Sequence, residues 1–364
     1  MGVLAVGLVM WTACERLWAT ADILPGDDFS LLRQQLAVSD YVFIPAGDYA
    51  LVSTLKLKNG IVLEGIRGQS RILIDDSFQK GKCYPESEFA VMNEHFSQAY
   101  DSATADEITI RGLTFIMDKN NSNSIHTLLG MANVKKLILE DCDFIVQGNG
   151  VSGSNIDLYA GCKNVLIRNC YIKNDTGTES GAAVMVRCLT GDGADPANAT
   201  ENVVLESNTI EKNSNDEAIA VWGCVGLVRD VTVRNNSITA YGRIPDVLID
   251  AFAGEFNKHS TASTKNVIFD GNTITTGDIA CTIFQVGQNM DTVSQLDNVR
   301  ITNNTINTRA SATAYTTVIK SYDQDNYTNI VIEGNEITNT GHVNIGYGIT
   351  GKGVIANNVT FLFK

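Results

Sequence analysis

Two adjacent carboxylates, Asp216 and Glu217, stand in the segment NSNDEAIAVWGC at residues 213–224, directly ahead of an apolar run. Acids held side by side do not ionise together, so one stays protonated as an acid while its neighbour serves as a base. Breaking a glycosidic bond calls for such a division of roles. A second set, Asp246 and Asp250, brackets the run PDVLID one repeat later. The separation of the working pair would decide between retention and inversion, and sequence does not choose between them. The plain alternative is that all four are solvated turn acids in a chain with 41 acidic residues.

Three further residues could hold a ligand. In AIAVWG, Ile219 and Val221 occupy the apolar phase of a strand, which turns Ala220 and Trp222 to the other face. An exposed indole offers a flat apolar face and one donor to a sugar ring, or packs beneath a loop or a neighbouring subunit. Arg187 and Lys320 end or follow similar runs, VMVR and TTVIK, at what look like equivalent strand positions. They could bind a uronate or act as a lyase base, against the simpler reading of surface charge. His95, His126, His259 and His342 have no companion motif, and there is neither a CxxC pair nor a His-rich cluster. No metal site and no cofactor are expected.

The elements that would position these groups belong to a repeat. Octets such as LILEDCDF from 137, VLIRNCYI from 165, VVLESNTI from 203, VTVRNNSI from 231, VRITNNTI from 299 and GVIANNVT from 353 recur, rich in Val, Ile and Thr. The third position is apolar in every octet and the eighth in all but the last, an alternation that points to strands and not helices. The sixth position runs Leu113, Cys142, Cys170, Asn208, Asn236, Asn272, Asn304, Asn335 and Asn358. Six asparagines in one register imply a ladder of inward amides stacked at the strand spacing. Successive members lie 29, 28, 38, 28, 36, 32, 31 and 23 residues apart, a coil of 28 with insertions on one side. A second apolar run follows most octets, so each coil holds at least two strands. A leucine-rich repeat fails because leucine does not dominate the core and the second half-coil is strand-like.

The expected fold is therefore all-β, a right-handed single-stranded parallel β-helix with a short N-terminal capping helix. Residues 1–21 form an apolar segment, a leader or a packing element; 22–60 form the N-terminal cap; 61–364 form the solenoid. The apolar stretch GVLAVGLVMW is too short to span a bilayer, and WATA offers a small-x-small processing pattern without a preceding basic region. A formal charge of -14 argues against nucleic-acid and anionic-membrane partners. The eight cysteines are even in number, but Cys142 and Cys170 share the ladder register and Cys162, Cys188 and Cys224 follow strands. They are expected to be free thiols packed as small hydrophobes, as in a protein folded in a reducing cell.

At the start of the solenoid, Asp27 and Asp28 precede a short helix through Gln35, then an apolar strand ending in Pro45-x-Gly47-x-Tyr49, then a strand reaching Gly65. This resembles the entry segment of phage tailspike depolymerases in the pectate-lyase-like β-helix superfamily. With the ladder, the resemblance covers residues 22 to 364 and implies a carbohydrate ligand on the outer face, with a homotrimer as the assembly to test. Asp216 and Glu217 are similar to the paired aspartates of polygalacturonases, with Glu in the second place and no Gly-His pair one coil on. Three readings follow. The first is a virion protein that binds and cleaves a bacterial surface polysaccharide, with the insertions of coils 170–208 and 236–272 walling its groove. The others are a secreted polysaccharide lyase or glycoside hydrolase, and a non-catalytic structural or adhesive protein.

Overall fold

The computed structural model describes residues 30–363 except 98, 119–124, 149–151, 178–180, 192–194, 242–246, 252–261, 278–281, 288–293, 309–315, 322–326, 340–344, 350–353 and 358, and leaves some strand side chains beyond 247 undescribed. Parallel strands coil through three faces. One face is an eleven-stranded sheet running from Gly47–Ala50 to Thr360–Phe363. The other two are joined into one sheet of 19 strands, because Thr127–Glu140 and Ser154–Arg168 continue around the corner between them. Each coil thus has three strands, one more than the minimum set by the sequence. All pairings between named strands are parallel and one coil apart, as in Ile167 with Leu139 below and Leu205 above. The protein is a parallel β-helix.

What the octet looks like as one strand is two strands and a corner. Positions one and three face inward on the first face, as Val165 and Ile167 do, and both are buried. At position five the chain takes a left-handed conformation, at Asp141, Asn169, Ser207, Asn235 and Asn303 with φ of 53° to 57°, or uses a glycine. That residue turns the corner and shifts the alternation by one, so positions six and eight face inward on the second face. Ile172, Ile210 and Ile238 continue an inward column begun by Phe115 and Phe144, whose rings stack parallel at 5.4 Å.

Position six carries the ladder. Asn272 Nδ2 donates to Val233 O at 2.9 Å and to Asn304 Oδ1 at 3.0 Å, while its Oδ1 accepts from both the backbone N–H and the Nδ2 of Asn236. Both donors and both lone pairs are used. The same bonds link Asn208 through Asn335, and all five side chains are buried. The last member is corrected by the structure. Ile330 pairs with Val354 and Glu336 with Thr360, which puts Val359, not Asn358, in the ladder register, and Val359 packs against the core. Before Asn208 the column is Cys170, Cys142 and Leu113. These cysteines, with Cys162, Cys188 and Cys224, are free and buried, as expected.

A second column of left-handed residues marks the corner between the third and first faces: Asn133, Asn164, Asn202, Asp230, Asn266, Asn298 and Asn329, with φ of 51° to 56°. Its amides stack in the open, Asn298 on Asn266 at 2.9 Å and Asn202 on Asn164 at 2.6 Å. The N-terminal helix is Ser30–Val38, ending three residues later than expected, and it buries Leu32 and Leu36 over the end of the coil. Asp27 and Asp28 lie outside the described residues. Arg33 fastens the helix through its guanidinium to the carbonyls of Ser53 and Thr54. The Pro-x-Gly-x-Tyr segment is held from within, the buried Tyr49 hydroxyl donating to Pro45 O.

The two columns should respond differently to substitution. Asn272→Leu leaves partners unsatisfied on the coils above and below and should cost about 1 to 3 kcal/mol in denaturant unfolding. At the exposed corner, Asn298→Gly should be close to neutral and Asn298→Ala should cost about 1 kcal/mol, because only the left-handed backbone is at stake. Equal losses at Asn272 and Asn298 would remove the buried amide from the account of stability.

Candidate functional site

Strand register on the third face defines what can meet. Gly130 pairs with Asp157, Asp157 with Met185, and Met185 with Ala220, giving one outward column. The next outward column holds Arg187 and Trp222, and the backbone of Trp222 pairs with that of Asp250 on the following coil. Over the lower coils of this face lies a cleft of about 470 Å³.

Its floor is a buried ion pair. The Arg187 guanidinium donates from Nε to Asp157 Oδ1 at 3.0 Å and from Nη2 to Asp157 Oδ2 at 2.5 Å. Asp157 is fully buried, and its carboxylate outweighs the effect of burial on Arg187, whose pKa is raised. The guanidinium also lies over the Tyr159 ring, 4.9 Å from its centroid. A two-pronged pair in this setting commits the cation to one partner.

One wall is aromatic. Tyr84, Phe89, Phe96 and Tyr159 pack with ring centroids 5.0 to 6.2 Å apart, mostly tilted or edge-on. The Phe89 ring packs against the neighbouring strand at Gly130, where a Cβ would come within 2.2 Å of it. Tyr84 lies in the loop between Ser70–Ile74 and Phe89–Asn93, and Phe96 in the loop between Phe89–Asn93 and Asp106–Arg111. Neither loop is one of the two insertions expected to wall the groove, and residues 252–261 of the second of those lie outside the described ones.

The opposite rim is the corner that precedes Ile219–Gly223. Gly181 stacks so closely on Gly153 that an added Cβ would lie 2.0 Å from the Gly153 carbonyl, and Ser214 Oγ donates to Gly181 O at 2.8 Å. That corner brings Asp216 into the cleft lining together with His126 and Glu88. Glu217 is next to it, its backbone N–H donating to Asp216 Oδ1 at 3.1 Å. Burial, and then the neighbouring Asp216, push the Glu217 carboxyl well above the ordinary glutamate range, with Lys212 pulling in the other direction. Lys212 is fully buried on the inward side of Thr209–Asn213, where lysine is rare.

Of the residues singled out in the sequence, Arg187 and Asp216 meet in one cleft and Glu217 adjoins them. Trp222 faces outward and is partly buried one strand beyond Arg187, outside the lining. The backbone of Asp250 pairs with that of Trp222; the Asp250 side chain and all of Asp246 lie outside the described residues. Lys320 pairs with Gln285, in the column of Met185, and not with the column of Arg187. It stands four strands away, about 19 Å at the usual strand spacing; the two positions are not equivalent. Sequence reasoning missed Asp157, although a lone acid inside NIDLYAG signals a buried partner. It also missed His95, whose Nδ1 is 2.8 Å from the buried carboxylate of Asp106; that bond raises the His95 pKa.

No protein-family model matches the chain, and a search of curated proteins finds no match. Solved structures do resemble it. A mutant tailspike protein of E. coli bacteriophage HK620, in complex with a pentasaccharide, matches with a TM-score of 0.55 and 13% identity, over 92% of this chain and 62% of that one. The surface adhesin PfbA of Streptococcus pneumoniae matches with a TM-score of 0.51 and 14% identity, over 93% and 88%. This chain therefore spans somewhat under two thirds of the tailspike. At such identities the likeness is one of fold, and it places the chain among parallel β-helix proteins. Among the described residues no helix is long and apolar enough to cross a membrane.

The raised Glu217 pKa makes a sign prediction. A carboxyl whose pKa is higher folded than unfolded favours the fold at low pH, and that contribution is lost as pH rises through its folded value. Glu217→Gln should therefore melt like the parent near pH 4, then gain on it progressively toward pH 9. A constant offset across that range would show that Glu217 titrates as it does in the unfolded chain.

Proposed function

We propose that the cleft binds an oligosaccharide stretch of a bacterial surface polysaccharide and hydrolyses it. The observation that carries this reading is one outward cleft lined by aromatic residues, Tyr84, Phe89 and Tyr159, and by Asp216, with Glu217 directly beside it. Ring faces take up the apolar faces of pyranoses, and the pair supplies an acid and a base. Glu217, whose pKa burial raises, is the acid that assists the leaving group. Asp216, which lines the cleft, is the partner carboxylate. The pentasaccharide held by a tailspike of the same fold supports a glycan in this role. Lyase or epimerase chemistry would need a cation to offset a uronate, and Arg187 is already committed to Asp157.

In this reading the protein acts on a virion tail or outside a cell, and native mass measurement tests the homotrimer. A second reading, a non-catalytic adhesive β-helix, is favoured by the place of Glu217, which adjoins the cleft without lining it. One set of variants separates the two. Asp216→Asn and Glu217→Gln should each lower polysaccharide cleavage by about 10² while binding persists. Tyr84→Ala should weaken binding about tenfold with turnover at saturation preserved. Reducing-end release read across a panel of capsular and cell-wall glycans gives the rates. Binding without any cleavage by the parent protein would establish the adhesive reading.

A further inference from the structure

The electrostatics of the cleft narrow its ligand, on the reading that it is a glycan site. Three carboxylates, Glu88, Asp157 and Asp216, and one guanidinium, that of Arg187, line it. The guanidinium is spent on Asp157 through two short bonds, and its flat face lies on Tyr159. Among the described residues no lysine or arginine forms a salt bridge with Glu88 or Asp216, so no fixed cation offsets either. The other basic group in the lining is the His126 imidazole, and Lys212 is buried inside the coil. The surrounding protein, at -14, adds to the same field.

We infer that the cleft selects uncharged glycans and rejects those carrying uronate, sialate or phosphate groups. A ligand carboxylate set between Glu88 and Asp216 would meet like charge in a partly desolvated site, worth about tenfold in affinity for each charge it faces. The committed Arg187 offers it no compensation. An uncharged sugar loses nothing to that field, stacks on the aromatic wall and donates its hydroxyls to Glu88 and Asp216. The acids that repel one class thereby act as acceptors for the other.

The test is an array of bacterial capsular and O-antigen polysaccharides of known composition, probed with the full chain at low salt of about 0.02 M and again at about 0.3 M. Binders should be uncharged, with affinities that move less than about twofold between the two salts. Asp157→Asn, which releases Arg187, should add acidic polysaccharides to the set. Should that variant fold poorly, Glu88→Gln combined with Asp216→Asn should instead raise acidic-glycan affinity by about tenfold or more at low salt. Tight binding of an acidic polysaccharide by the parent chain would overturn the charge selection while leaving the glycan site standing. Binding to nothing on the array would overturn the glycan site, and the selection with it.

Discussion

Each inner asparagine of the corner ladder, Asn236, Asn272 and Asn304, joins three coils at once. It donates to a carbonyl on the coil before, donates to the amide on the coil after, and accepts two bonds in return. A primary amide has two donors and two lone pairs, so the arrangement leaves no capacity over. Slipping one coil by a residue would break four bonds in the core and offer nothing in exchange, since water has no access. Register along the solenoid is pinned at this column, and the apolar stacks on either side follow from it. Where Cys170 and Cys142 replace asparagine, the thiols fill the same place and point at carbonyls of their own and the preceding coil at 3.2 to 3.6 Å.

Pinned register is what allows a surface site to be built from residues thirty apart. Asp157 and Arg187 lie on neighbouring strands two positions out of step, so their outward side chains meet on the diagonal, within reach of a long side chain. The coil supplies a floor of that kind but no walls, because its faces are flat. Walls come from insertions, which cost little where they leave the coil at a corner. Here the loops on either side of Phe89–Asn93 bring Tyr84 and Phe96 against the Phe89 ring, and the glycine at 130 leaves room for that ring.

The fold was legible because its determinant repeats. An apolar column is visible in the octets, and asparagine kept in phase with that column from Asn208 to Asn335 has to face inward, where only a neighbouring amide can satisfy it. What remained hidden was the left-handed residue at position five: a single phase slip inside an octet of β-formers looks like an imperfect strand. The same blindness set the final repeat one residue out, where two consecutive asparagines, Asn357 and Asn358, invited the wrong match and Val359 took the place. Asp216 and Glu217 stood out because they are adjacent in sequence, and Arg187 because a cation closes its apolar run; Asp157, thirty residues before Arg187, and the aromatic wall gathered from separate coils did not. Lys320 seemed equivalent to Arg187 because apolar runs of similar length precede both, yet only the pairing register can count columns and strands.

The acid pair sits where the coil's interior and exterior meet, and that position explains its chemistry. Asp216 opens onto the cleft, whereas Glu217 is withdrawn into the corner, so the two carboxyls of one dipeptide experience different solvation. Lys212, buried one strand earlier, acts on the inner member and works against the loss of solvation there. An inner carboxyl that burial disfavours as an anion, beside an outer one that lines the cleft, is the inequality that a division into acid and base calls for.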